Sequence, residues 1–473
     1  MTSRQDIFAE TTQVRLEQFP ADFVWGVATS AYQIEGAVAE GGRGPSIWDT
    51  FAHTVGRTVH GDTGDIACDH YHRWSDDFDL LVALGIPAYR LSLSWSRLQP
   101  SGEGPLNSEG LEFYRGLLLG LRERGITPYV TLYHWDLPQP LEDAGGWPLR
   151  RTALLFADYV EQVVRELGGL AEHWITINEP WCVSFLGYGI GAHAPGRSDM
   201  KDAVAAGHHL NLAHGLATAR IRSINPQLKT GITNIVTDIQ AREECAADRD
   251  AARRLDAANN RFFLDPVYTG RYSQEVHALF DELGLNELVE EGDLAIISAD
   301  TDFAGVNHYQ RVIVWADEQG GFLQLGERPA EPATTSFGWS VIPESLSNVL
   351  ERVSRDYTRL PLFVTENGAS YHDYVDPSGR VMDTERIEYF GGYLNAAGDA
   401  LAKGVNLQGY FAWSFLDNYE WAEGYSKRFG LVFLDYGTQA RIPKATADWY
   451  SAVIRAHARS IGVLASAERG EPA

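Results

Sequence analysis

The chain has 473 residues, 44% of them hydrophobic and 22% charged, a balance that suits a soluble globular fold with a large core. Its 39 basic against 64 acidic residues leave a net charge of −25, which repels nucleic acid and anionic membrane surfaces but not a neutral small molecule. Three scattered cysteines, Cys68, Cys182 and Cys245, fit neither a disulfide framework nor a CxxC metal site, and no window approaches the about 18 apolar residues of a membrane span. With no apolar signal core between Met1 and Pro20, the expected location is cytoplasmic.

Short β-branched or aromatic runs then recur along the chain, each followed by a loop and a helix-like segment. The first is Phe23 to Ser30. Ala88 to Trp95 precedes helical spacing over Ser108 to Arg124, and Thr127 to His134 precedes Leu149 to Leu167. His173 to Glu179 leads to Ala203 to Asn225, and Lys229 to Val236 follows. Asp302 to Tyr309 comes before Pro343 to Asp356, Leu362 to Glu366 before Asp383 to Lys403, and Leu407 to Phe415 is the eighth run. Alternating strand and helix signals imply parallel strands, and eight such units match an α/β fold of the single (β/α)8 TIM-barrel type. An open doubly wound sheet would want a phosphate loop after its first strand, and Gly26-Val-Ala-Thr-Ser-Ala has neither GxGxxG nor a P-loop lysine. No linker or composition shift divides the chain, so residues 1–473 read as one catalytic domain with a core over about 19–460 and frayed termini, including the tail after Ile461. The longest insertions follow the first, fifth and sixth strands, so long βα loops should wall a pocket at the strands' C-terminal ends.

Two glutamates stand at matching places in this pattern, Glu179 closing the fourth strand and Glu366 the seventh. Either alone reads most simply as half of a structural ion pair. Two at one barrel mouth form the constellation that cleaves a glycosidic bond, one carboxyl protonating the leaving oxygen and the other meeting the oxocarbenium-like centre. Asn178 stands beside Glu179, Gln33, His134, Asn307 and Tyr309 fall at other strand ends, and the block Trp413 to Trp421 follows the eighth. Such side chains suit a hexose, whose hydroxyls both donate and accept while an indole covers the C–H face. His208, His209 and His214, and separately His60, Asp69, His70 and His72, lack a clean zinc spacing, and two-carboxylate hydrolysis needs no metal, so neither metal nor cofactor is expected.

From Phe23 to about Tyr450 the sequence resembles a glycoside hydrolase family 1 β-glucosidase. The resemblance is carried by Phe23-Val-Trp-Gly-Val-Ala-Thr-Ser-Ala-Tyr-Gln33-Ile-Glu35-Gly, Ser46-Ile-Trp-Asp-Thr-Phe51, Tyr133-His134-Trp135-Asp136-Leu-Pro, Asn178-Glu179-Pro180-Trp181, Thr365-Glu366-Asn367-Gly368 and the Trp413 to Trp421 block. It implies a retaining hydrolase that removes terminal non-reducing β-D-glucosyl residues from cellobiose, short β-glucosides and aryl β-glucosides, with β-galactosidase and β-fucosidase side activity and a place in cellulose degradation. Glu179 would be the acid/base and Glu366 the nucleophile, their carboxyls about 5–5.5 Å apart as retention requires. Gln33, His134, Asn178, Glu420 and Trp421 would hold the sugar's hydroxyls, Trp413 stack beneath it and Tyr309 touch the nucleophile, with Asn307 and Phe429 also in the substrate-binding set. Trp181, Cys182, Leu186, His193 and Trp339 would form the aglycone side. His308 departs from the aromatic that many relatives carry before the matching tyrosine and is expected to affect packing more than chemistry. The expected partner is a small β-glucoside, and homo-oligomer formation is left open. A 6-phospho-β-glycosidase is the enzymatic rival, although Glu420 would repel a phosphate and Lys427 is the only nearby lysine; a non-catalytic sugar-binding relative would lack one of the two carboxylates.

Overall fold

The computed structural model describes residues 13–462 apart from position 333; the expected frayed segments at 1–12 and 463–473 lie outside the described residues. Eight parallel strands close into a barrel: β1 Val24–Ala28, β2 Ala88–Ser92, β3 Thr127–Tyr133, β4 His173–Asn178, β5 Lys229–Ile235, β6 Phe303–Asn307, β7 Leu362–Asn367 and β8 Leu407–Trp413. They run in sequence order around the ring, and β1 closes it by pairing with both β2 and β8. Seven of the expected runs contain a strand, most of these strands ending one or two residues earlier because the ladder stops where the chain flares into its loop, whereas β7 runs one residue past the expected Leu362 to Glu366.

Helices between the strands form the outer layer, and a typical one turns an apolar stripe to the barrel. In Arg150–Leu167 the buried set Ala153, Phe156, Ala157, Val160, Val163, Val164 and Leu167 repeats at three and four residues, the spacing of one helix face. Inside the barrel, Ala28, Ala88, Tyr129, Ile175, Phe303, Phe363 and Phe411 form a second core beneath the mouth. That plug needs small residues beside large ones. A Cβ on Gly26 would lie 2.4 Å from the Phe411 ring, so the glycine gives the phenyl its room.

The long insertions after the fifth and sixth strands wall the mouth as expected, but they do so by pairing into a small sheet that the sequence did not announce. Asp238–Ala241 pairs in parallel with Arg311–Ala316, which pairs antiparallel with Leu325–Pro329. The helix Ala246–Asp256 covers this small sheet through Ala251 and Leu255, packed on Val312, Val314 and Leu325. Among the described residues no helix is long and apolar enough to cross a membrane.

Candidate active site

Glu366 is the next-to-last residue of β7, in register with Asn307 at the end of β6. Glu179 is one residue past β4, and its N–H still bonds the carbonyl of Thr233 on β5 (2.9 Å), so strand geometry reaches this side chain although regular β4 ends before it. Its φ of 47° lies in the left-handed region, as do those of Trp135 (80°) and Trp421 (52°) at the same mouth. Non-glycine residues held there cost about 1–3 kcal/mol each and persist where surrounding packing over-determines them, as at functional sites.

Both carboxyls are buried, and they are held by different donors. At Glu366, Arg90 donates to Oε1 (2.6 Å) and the Tyr309 hydroxyl to Oε2 (2.7 Å). At Glu179, the Asn307 amide donates to Oε1 (2.6 Å) and the Cys182 thiol to Oε2 (3.0 Å). One surrounds its carboxylate with a full positive charge, the other with neutral donors. Burial first, and the negative charge of Glu366 second, push the Glu179 carboxyl up to about 8, with Asn307, Cys182 and Arg90 pulling the other way. Glu179 therefore holds its proton at neutral pH and releases it as the pH rises through that value.

Arg90 on β2 is the organiser that sequence reasoning missed. Its guanidinium also reaches Asn178 Oδ1 (2.6 Å), the carbonyl of Thr365 (3.0 Å) and Thr131 Oγ1 (3.2 Å), tying β2, β3, β4 and β7 together. Because Asn178 Oδ1 accepts from Arg90 and Asn307, its amide nitrogen must face His134 Nε2 (3.1 Å) as the donor. Burial, then Arg90, hold the His134 imidazolium well below its usual range, so the ring is neutral with its proton on Nδ1. Among the described residues that buried N–H has no partner, and it lines the cavity, ready for a sugar hydroxyl.

A cavity of about 590 Å³ opens above these groups. On its wall stand His134, Glu179, Glu366, Tyr309, Trp413, Glu420, Trp421 and Phe429, together with the outer set Trp181, Cys182, Leu186, His193 and Trp339. Gln33, Asn178 and Asn307 are buried just behind. Gln33 donates to Asn418 Oδ1 (3.0 Å), the carbonyl of Tyr419 (2.9 Å) and Glu420 Oε2 (3.4 Å), so it supports the Glu420 loop. Burial, followed by the charges of Glu366 and Glu179, lifts Glu420 to about 8; an uncharged carboxyl there can donate to a sugar oxygen as well as accept. His308 points away from the cavity, bonding the carbonyl of Val236 (2.8 Å) and Ser345 Oγ (2.6 Å).

Most side chains of the two histidine clusters have protein partners, and His72 bonds Asp69 within its own cluster (2.6 Å) as well as Glu40 (3.1 Å). His208 bonds Tyr272 and Asp293, His209 the carbonyl of Trp147, His214 Thr176, and His70 Asp77. Among the described residues no three His, Cys, Asp or Glu side chains are gathered as a metal site requires.

Residues 15–459 match the profile of glycosyl hydrolase family 1. The chain is 47% identical to the thermostable β-glucosidase B of Thermobispora bispora over 92% of its length and 90% of that protein. It is 44% identical to the bifunctional β-D-glucosidase/β-D-fucosidase of Bifidobacterium breve over 93% of its length and 98% of that protein. The structure superposes on the Thermotoga maritima β-glucosidase in complex with deoxynojirimycin with a TM-score of 0.90, at 42% identity, covering 93% of this chain and 99% of that one.

Proposed function

The chain belongs to glycosyl hydrolase family 1, and from that premise we propose that it is a retaining β-glucosidase whose catalytic pair is Glu366 and Glu179. The observation that carries the assignment of roles is the contrast between the two carboxyls: Glu366 faces Arg90, while Glu179 sits among neutral donors and keeps its proton. Glu366 then attacks the anomeric carbon as the bond to the aglycone breaks, and Glu179 gives its proton to the departing oxygen. Esterified Glu366 no longer carries the charge that raises Glu179, so Glu179 becomes the base that takes a proton from water as the ester opens. Two inversions return a β-sugar. His134, Glu420 and Trp421 are the proposed hydroxyl readers, backed by Gln33, Asn178 and Asn307, over the Trp413 indole.

The outer wall bears on the aglycone. Trp181, Leu186 and Trp339 are joined there by Phe337, Phe185, Ile190 and Phe322, which supports an apolar, aryl-type aglycone beside cellobiose. A 6-phospho substrate gains no anchor, since Lys427 donates to the carbonyl of Ser336 (2.9 Å) and pairs with Glu423 (3.5 Å). We further propose a cytoplasmic enzyme with one catalytic domain, in keeping with three unpaired thiols and the absence of a linker, that completes cellulose breakdown at cellobiose.

A kinetic panel tests this reading: aryl β-glucoside, β-galactoside, β-fucoside, cellobiose and 6-phospho-β-glucoside, with the first-formed anomer followed by NMR. Turnover of the unphosphorylated sugars with a β product first is expected; an α product, or turnover of the phosphorylated substrate alone, defeats it. Within the panel, Glu420→Ala should lose roughly 2–3 kcal/mol of transition-state binding on the glucoside, because donors and acceptors of the sugar are left unpaired in a dry pocket. The loss should be smaller on the fucoside, which lacks the 6-hydroxyl. Equal losses on both sugars would remove Glu420 from this role.

A further inference from the structure

The wide, π-type helical turn Cys182–Gly189 begins three residues after Glu179 and aims one thiol back at it. The Cys182 N–H bonds the carbonyl of Glu179 (3.0 Å), which fixes the turn, and the Cys182 Sγ lies 3.0 Å from Glu179 Oε2. The other carboxyl oxygen is already committed. Asn307 Oδ1 accepts from the Thr365 hydroxyl (2.7 Å), so its amide must present Nδ2 to Glu179 Oε1, which accepts whether or not the acid is protonated. The proton that Glu179 carries is therefore confined to Oε2, the oxygen that faces the thiol.

We infer that Cys182 is a positioning residue for the acid/base: its S–H donates to Oε2 once Glu179 has given up its proton and so favours the base form needed in the second half of the reaction. The inference rests on the acid/base role proposed for Glu179. Burial and the Glu179 charge push the thiol itself up, so it remains a neutral donor. A donor to the charged form of a carboxyl stabilises that form, though a thiol does so weakly. The position balances two demands on one residue. Glu179 must be protonated to begin and ionised to finish, and a strong donor at Oε2 would empty it too early.

The other titratable and charged groups facing Glu179 are Glu366, Glu420, Arg90, Tyr309 and the neutral His134, and none is altered when Cys182 alone is changed. Two substitutions then have opposite signs. Cys182→Ala removes the donor, so the alkaline limb of kcat/KM on an aryl glucoside should move up by roughly half a pH unit. Cys182→Ser supplies a stronger donor, and the limb should move down by a similar amount. On 2,4-dinitrophenyl β-glucoside, where loss of the sugar from the enzyme limits turnover, Cys182→Ala should lower kcat several-fold with kcat/KM little changed and a larger pre-steady-state burst. A residue that only packs the loop would move both pH profiles alike or neither. Shifts of the same sign in the two variants, or an unshifted limb in both, overturn the inference. Direct titration of carbon-13-labelled Glu179 in whichever variant folds reads the same shift without turnover. If the Glu179 variants themselves retain full activity, the acid/base assignment fails instead, a result that the Cys182 variants cannot mimic.

Discussion

Replacing Glu366 by glycine is expected to abolish turnover of every glycoside, by roughly 10⁵–10⁶-fold, the scale seen when a covalent nucleophile is removed. No other carboxyl can take its place, because Glu366 is the one gripped by both Arg90 and Tyr309. Glu179→Ala should behave differently. With a poor leaving group it should lose about 10²–10⁴-fold, the usual contribution of a general acid, whereas with 2,4-dinitrophenolate the first step needs no proton and survives. The glycosyl-enzyme then waits for a base. Azide, which needs none, should rescue that variant and give a β-glycosyl azide, while azide acting on Glu366→Gly should enter the emptied nucleophile site and give the α-azide. A β-azide from the Glu366 variant and an α-azide from the Glu179 variant would exchange the two roles.

What could be read in advance and what could not divides along physical lines. The barrel was legible because each strand is a short apolar run punctuated by a polar strand end, a pattern that depends only on neighbours in sequence. Glu179 and Glu366 were legible for the same reason, since each closes such a run. Arg90 was not. It lies inside Ala-Tyr-Arg-Leu-Ser, where one polar residue looks like ordinary strand alternation, and its partner Glu366 is 276 positions away. The only hint was that a strand buried on both faces has no place for an unpaired cation. Cys182 was placed on the aglycone side, and it does line the cavity; its bond to Glu179 depends on the wide turn after Pro180, which apolar periodicity does not encode. The small sheet made by Asp238–Ala241, Arg311–Ala316 and Leu325–Pro329 was hidden as well, because its strands come from two different insertions and pair only once the barrel has brought those loops together.

Arg90→Met is expected to cost about 3–5 kcal/mol of stability and nearly all activity, and the two losses should separate in a second variant. Arg90 and Glu366 are both almost fully buried, with side chains 1% and 4% exposed, so removing the cation strands an anion whose remaining side-chain donor is Tyr309. The same change leaves Asn178 Oδ1 with only the longer bond from Asn307 (3.2 Å), which loosens the amide that sets the His134 tautomer facing the sugar. In an Arg90→Met/Glu366→Gln double variant the stranded charge is gone, and much of the lost stability should return while activity stays absent. The double-variant cycle thus isolates the ion pair from the packing of the long side chain. Arg90→Lys adds a third comparison. A single ammonium keeps the charge beside Glu366 but cannot reproduce the planar fork that reaches Glu366, Asn178 and Thr131 at once. It should therefore fold nearly as well as the parent and still lose kcat/KM on glucosides and fucosides alike, since the nucleophile is common to both. Chemical denaturation of the parent, the two single variants of the cycle, the double variant and Arg90→Lys, with matched kinetics, decides the matter: a stability loss for Arg90→Met that is unchanged in the Glu366→Gln background would mean that Arg90 acts through packing, not as the counter-charge of the nucleophile.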